Sequence, residues 1–148
     1  VVLPVTGEVK VTSDEQRMVV AINKYRESFK LPPLKVDAIL LRVARHRVRQ
    51  FNHHAFGQWS WEEARQAGFD GPVTDNLSQG DESPEDCVFG WGTWEDRREA
   101  RTHEVIGHDH QLRGERKLNG KWLDCHFNVV GVAHAGNNYI AIFGRTDE

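Results

Sequence analysis

Eight histidines in 148 residues is a high count, and they sit unevenly along the chain. His53 and His54 end a predicted helix, His103, His108 and His110 fall in the middle, and His126 and His134 lie in an apolar region near the end. Imidazole binds divalent metals and shuttles protons near neutral pH, so these side chains come first. The stretch His103-Glu104-Val105-Ile106-Gly107-His108 has the look of a zinc-protease helix, but that motif needs histidines four apart. Five apart is about 500° around a helix, so the two do not share a face, and Gly107 weakens the helix further. His108 and His110 would chelate on a strand, where both point the same way. On a helix they diverge by about 200°. Two surface histidines in a polar loop is the plainer reading of that pair.

Other reactive types have quieter explanations. Ser13, Ser60 and Ser83 fit helix capping better than nucleophilic duty. Cys87 sits mid-helix beside Val88, not in a setting that activates a thiolate. Trp61 and Trp91 occupy helix positions beside apolar neighbours and read as core, whereas Trp59 and Trp94 are the candidates for exposure. Glu95-Asp96-Arg97-Arg98-Glu99 reads as a solvated face with local ion pairs.

The elements that must position these groups follow from period and punctuation. Residues 1–12 read as an extended lead-in. Ser13 with Gln16 is a capping box, Met18, Ile22, Tyr25 and Phe29 recur at helical spacing, and Pro32-Pro33 stops the helix. Asp37 caps a second helix whose Ile39, Leu40, Val43, Ala44 and Val48 face inward, with Arg42, Arg45, Arg47 and Arg49 outside. Ser60 and Glu63 form another box that opens WEEARQA, closed by Gly68. Ser83-Pro84 starts a fourth helix carrying Cys87, Val88 and Trp91. The period then changes. Asn119-Gly120 suits a tight hairpin between residues 115–118 and 121–125, and Gly136-Asn137-Asn138 separates FNVVGVAHA from YIAIFG. Helices first and an antiparallel sheet last predict an α+β fold.

Length predicts one domain over residues 1–148. No apolar run approaches the roughly 20 residues that cross a bilayer. A net charge of −3 with dispersed basic residues gives no footprint for nucleic acid. Cys87 and Cys125 allow one intramolecular pairing or two free thiols. Export would favour the disulfide, worth about 2–4 kcal/mol. The start at Val1 is what a processed, exported chain would show.

Six segments, in order, resemble the CAP superfamily, the SCP/PR-1-like or cysteine-rich secretory proteins, in their bacterial branch. Asn23-x-x-Arg26, Leu31-Pro32-x-Leu34 and Asp37 look like its first two helices, and Phe51-Asn52-His53 like its F-S-H. WEEARQAGF, Asp75-Asn76-Leu77, GHDHQL and FNVVGVAHAGNNYIAIFGR resemble its later motifs. The resemblance implies an α-β-α sandwich, helices on both sides of an antiparallel sheet, with insertions near 92–107 and 113–125. It also implies a cleft of two histidines and two acids at His53, Glu62, Asp75 and His108, with His54, His103 and His110 as alternates. Of the adjacent Glu62 and Glu63, one would face the cleft and the other cap the helix. In family members such a set holds a divalent cation, often zinc, and two imidazoles with two carboxylates suit that ion. Asp75 stands for the usual Glu and reaches one methylene less far. The implied function is a secreted or periplasmic, monomeric binding domain for a metal, small ligand or protein, without established catalysis. A metal-dependent hydrolase and an interaction module with a relic cleft are the alternatives.

Overall fold

The computed structural model describes residues 5–6, 10–50, 60–93, 97–98 and 105–147. The elements in chain order are β1 (Val5–Thr6), α1 (Ser13–Ser28), β2 (Lys35–Asp37), α2 (Ala38–Val48), α3 (Ser60–Gln66), β3 (Val73–Gln79) and α4 (Pro84–Thr93). There follow β4 (Arg97–Arg98), β5 (Val105–Ile106), α5 (His108–Leu112), β6 (Glu115–Leu118), β7 (Lys121–Asp124), β8 (Val129–Ala135) and β9 (Asn138–Gly144).

The two β-branched runs near the end of the chain form the middle of the sheet. β8 and β9 pair antiparallel, closing from Ala135 to Asn138 around Gly136-Asn137, where Gly136 has φ +58°. That left-handed conformation is open to glycine at no steric cost. The sheet order is β1-β2-β8-β9-β3. The α+β sandwich is as predicted, but the sheet is mixed: β3, β9 and β8 are antiparallel, whereas β1, β2 and β8 run parallel. β2 has only three residues, too few to show alternation, and its parallel pairing depends on neighbours remote in sequence. β3 was not foreseen as a strand because Asp75, Asn76, Ser78 and Gln79 have poor strand propensity. An edge position tolerates them.

Alternation along β9 divides the core between the two faces of the sheet. Tyr139, Ala141 and Phe143 pack with Met18, Val19 and Ile22 of α1, Cys87, Val88 and Trp91 of α4, and Leu112 of α5. Ile140 and Ile142 pack with Leu40, Val43, Ala44 and Val48 of α2 and Ala64 of α3. Each fully buried side chain of this size contributes about 1.5–3 kcal/mol. α2 lies so close to β8 that a Cβ on Gly131 would stand 2.1 Å from the Leu40 carbonyl carbon.

Local signals were right about where helices begin, less so about the capping atoms. Asp37 caps α2, accepting from the N–H groups of Ile39 at 2.9 Å and Leu40 at 3.0 Å. Ser83 accepts from Asp86 N–H at 3.0 Å ahead of α4. In α1 the box is Thr12 with Glu15, one residue before the predicted Ser13 and Gln16. Glu15 also pairs with Arg45 of α2 at 2.6 Å, so a tertiary ion pair sets the register. Ser60 and Glu63 do not form the predicted box: Ser60 donates to Asp75, and Glu63 Oε1 lies 2.5 Å from His46 Nδ1.

Some predicted faces are also corrected. Arg47 is buried and Arg45 is partly buried, rather than both lying outside. Phe29 is half exposed, because the helix ends at Ser28 and Phe29 falls beyond its apolar stripe. Arg26 instead lies inside, donating to the carbonyls of Pro32 and Leu112 at 3.0 and 2.9 Å, while Asn23 exchanges two hydrogen bonds with the Leu34 backbone. Together they hold the turn between α1 and β2.

The β6–β7 hairpin turns at Asn119-Gly120, both with positive φ, as predicted for a type I′ turn. The disulfide expected for an exported chain is not formed: Cys87 and Cys125 are free thiols. Cys87 is buried in the α1/α4 core and Cys125 packs against its margin.

Candidate functional site

The candidate residues gather along β3, the edge strand. Its alternation gives it two chemically different faces. Asp75 is paired in register with Ile142 and so shares the face covered by α2 and α3. Thr74 and Asn76 point to the other face, towards α5. Thr74 Oγ1 accepts from Gln111 Nε2 at 2.9 Å, and Asn76 Nδ2 donates to the His108 carbonyl at 3.0 Å. The strand thus ties α3 and α5 to its opposite sides.

Asp75 is the perturbed carboxylate of this strand. It accepts a hydrogen bond from the Ser60 hydroxyl at the start of α3. Some of its surface remains accessible, yet protein encloses it closely enough that desolvation raises its pKa above the usual carboxylate value. The Ser60 bond and the positive charge of Arg47 act in the opposite direction without overcoming burial. Ser60 and Arg47 were not singled out from sequence as partners of Asp75. Arg47 carried a readable signal, since it follows Leu40, Val43 and Ala44 on the buried stripe of α2. Ser60 carried none, because capping explained it equally well.

His108 opens α5, its ring nearly parallel to that of Trp91 with centroids 6.4 Å apart. Trp91 in turn donates through Nε1 to the Leu77 carbonyl of β3 at 3.2 Å. His110 is turned elsewhere: it stacks on Trp122 of β7 at 4.3 Å, and its Nδ1 lies 2.6 Å from Glu115 Oε1. The two histidines diverge as helical spacing requires. Arg113 closes this side of α5, donating to the Tyr25 hydroxyl at 3.0 Å and lying 3.5 Å from Asp109. Burial raises the Tyr25 pKa, against the pull of that guanidinium.

Glu62 is partly buried on α3. His53, with the alternates His54 and His103, lies outside the described residues, as do Trp59 and Trp94. Trp91 is core, as predicted, but Trp61 is 46% exposed. The short α3 is anchored through Ala64, which leaves the Trp61 side of the helix to solvent.

A sheet with helices on both faces and a polar edge strand clamped between two of them defines the α-β-α sandwich class. The chain belongs to CAP, the cysteine-rich secretory protein family, whose profile matches residues 19–140. Three solved bacterial structures share the fold. An extracellular protein containing an SCP domain from Bacillus anthracis superposes with a TM-score of 0.66 at 17% identity, over 94% of this chain and 45% of that one. An outer surface protein of Borrelia burgdorferi gives 0.67 at 15% identity, over 95% of this chain and 98% of its own. A cysteine-rich secretory protein of Staphylococcus aureus gives 0.61 at 13% identity, over 95% and 42%. The chain therefore spans less than half of the Bacillus and Staphylococcus proteins. No curated protein matches it in sequence.

A divalent cation is the group that the family resemblance implies. Among the described residues, no three His, Cys, Asp or Glu side chains form a group that could hold a metal ion. Asp75 is occupied by Ser60 and faces the α2/α3 side, while α5 holds to the other. A carboxyl whose proton is favoured by burial is also a poor ligand until it ionises. Glu62, Asp75 and His108 do not by themselves make a metal cage; His53, the fourth of the set, lies outside the described residues.

Proposed function

We propose that this chain is an extracytoplasmic binding domain that captures a small polar ligand or a divalent cation beside β3 without turning it over. The observation that carries this reading is the clamping of α3 and α5 to opposite sides of one edge strand through Ser60–Asp75, Gln111–Thr74 and Asn76–His108. The helices that carry Glu62 and His108 are thereby joined to the strand that carries Asp75, which supports a ligand being held across this edge of the sheet. His53 would complete the set. The three structural relatives are described as extracellular, outer-surface and secretory proteins, which supports an extracytoplasmic location.

Zinc is the first ligand to test, because two imidazoles and two carboxylates are a suitable donor set for it. Calorimetry at neutral pH should give saturable binding that His53→Ala/His108→Ala weakens by about tenfold or more. Affinity should fall as pH drops through the imidazole range, since ligating nitrogens must be unprotonated. No zinc heat, or heat indifferent to the double variant, would remove the cation from this reading. Hydrolysis of simple esters or phosphodiesters by the zinc-loaded chain, lost in the same variant, would replace capture with metal-dependent hydrolysis.

A further inference from the structure

A second, chemically distinct pocket lies where α3 meets the β6–β7 hairpin. It has a volume of about 440 Å³ and is lined by Trp61, Arg65 and Phe69 on one side and by Arg116 and Lys117 on the other, with Asp70 at its border. Trp61 and Arg65 are four residues apart on α3, so their side chains meet, and the guanidinium carbon sits 5.0 Å from the indole centre. Pockets that hold small molecules run from about 300 to 1,000 Å³, so there is room for one.

The charge pattern identifies the ligand class. The chain as a whole is acidic, at −3, yet three cations border this pocket against one carboxylate. Three other arginines of the described residues are neutralised by carboxylates: Arg17 by Glu85, Arg45 by Glu15, and Arg113 by Asp109 and Glu115. Among the described residues, Arg65, Arg116 and Lys117 take part in no ion pair; Arg65 lies over the Trp61 ring and Lys117 over the Trp122 ring. Clustered, unneutralised cations raise the local concentration of anions. Guanidinium forks match phosphoryl oxygens two at a time, and lysine adds a point charge. Trp61, 46% exposed, adds flat apolar surface, while Phe69 is buried and forms the pocket's floor from the core side. We propose that this pocket binds a small organic phosphate carrying a flat ring, with the phosphoryl group on Arg65, Arg116 and Lys117 and the ring against Trp61.

The hairpin is held firmly enough to contribute. Trp122 of β7 stacks on His110 of α5, Glu115 pairs with the same histidine, and Lys117 lies 5.9 Å from the Trp122 ring centre. The hairpin falls in the segment near 113–125 that the family resemblance implies is an insertion. None of the three cations belongs to the proposed cleft beside β3, so either site can fail without the other.

The test is calorimetry on the full chain at low salt with adenosine monophosphate, adenosine and inorganic phosphate as probes. The monophosphate should bind with a Kd below about 1 mM and more tightly than either adenosine or phosphate by about tenfold. Arg116→Ser/Lys117→Ser, on a solvent-facing hairpin, should weaken it by about tenfold or more, and Arg65→Gln should do so independently. Trp61→Leu should weaken the monophosphate while leaving phosphate within about twofold. Thermal melts matching the parent would confirm that the variants are folded. No saturable heat with the monophosphate, binding indifferent to both cation variants, or a monophosphate no tighter than phosphate would each overturn the proposal.

Discussion

Asp75→Asn isolates the electrostatic character of the strand that joins α3 to α5. Burial raises the Asp75 pKa, and it is the largest of three influences; the Ser60 hydrogen bond and the Arg47 charge both lower it. A carboxyl whose folded pKa lies above its unfolded value costs stability wherever it is ionised. That cost is full above the raised pKa, shrinks as pH falls through it, and is gone below the unfolded value of about 3.9. Each unit of elevation corresponds to about 1.4 kcal/mol. Asparagine keeps an oxygen for the Ser60 hydroxyl but carries no charge. It loses the attraction of Arg47, but desolvation outweighs that attraction, so the variant should be the more stable of the two at pH 7. The difference should close on acidification, reaching zero near pH 4. Ser60→Ala provides the internal check. A hydrogen bond to an ionised group is worth about 1.5–3 kcal/mol and a neutral one about 0.5–1.5. Removing the hydroxyl should therefore cost about 1 kcal/mol more in the parent than in the D75N background, a coupling that a double-mutant cycle can resolve. Urea unfolding followed by tryptophan fluorescence, from pH 4 to 8 at constant m-value, measures all of these quantities. A loss of more than about 2 kcal/mol at pH 7 in D75N, with the parent's pH slope unchanged, would show an ionised carboxylate that the fold requires, and the reasoning would be wrong.

Two further outcomes follow from packing. Gly131→Ala would place a methyl 2.1 Å from the Leu40 carbonyl carbon and 2.4 Å from the Leu41 nitrogen, both backbone atoms. The cost should be at the upper end of overpacking, about 3 kcal/mol, with Tm lower by about 10 °C; an unchanged melt would mean that α2 does not press on β8. In the native protein a thiol reagent should modify Cys125 readily and Cys87 only on unfolding, because burial pushes the Cys87 thiol well up and closes off access. Equal native rates would contradict that burial, and no free thiol in denaturant would restore the disulfide.

The elements most legible in the sequence were those whose signals are local. Asp37 and Ser83 cap as their side chains allow, the two hairpins turn because Asn119, Gly120 and Gly136 tolerate positive φ, and β8 and β9 announce themselves by β-branched runs. The family pattern was legible too, since its motifs survive in order even where overall identity to solved relatives is only 13–17%. Of the candidate set, the sequence supplied residue types and order. Tertiary structure decided which contacts those types make. Asp75 belongs to Ser60 and is influenced by Arg47 because edge-strand pairing with β9 turns it towards α2 and α3, and nothing within ten residues of Asp75 encodes that. His110 belongs to Glu115 and Trp122 because a hairpin folds back on α5. Arg47 went inside and Trp61 outside, each against its usual preference, because in a helix the face that meets the sheet is set by the sum of its contacts and not by any one residue. The chain's local chemistry thus determined where its elements begin and turn, while partners, burial and proton affinity arose only when distant segments met, since desolvation and charge pairing are properties of an environment and not of a residue.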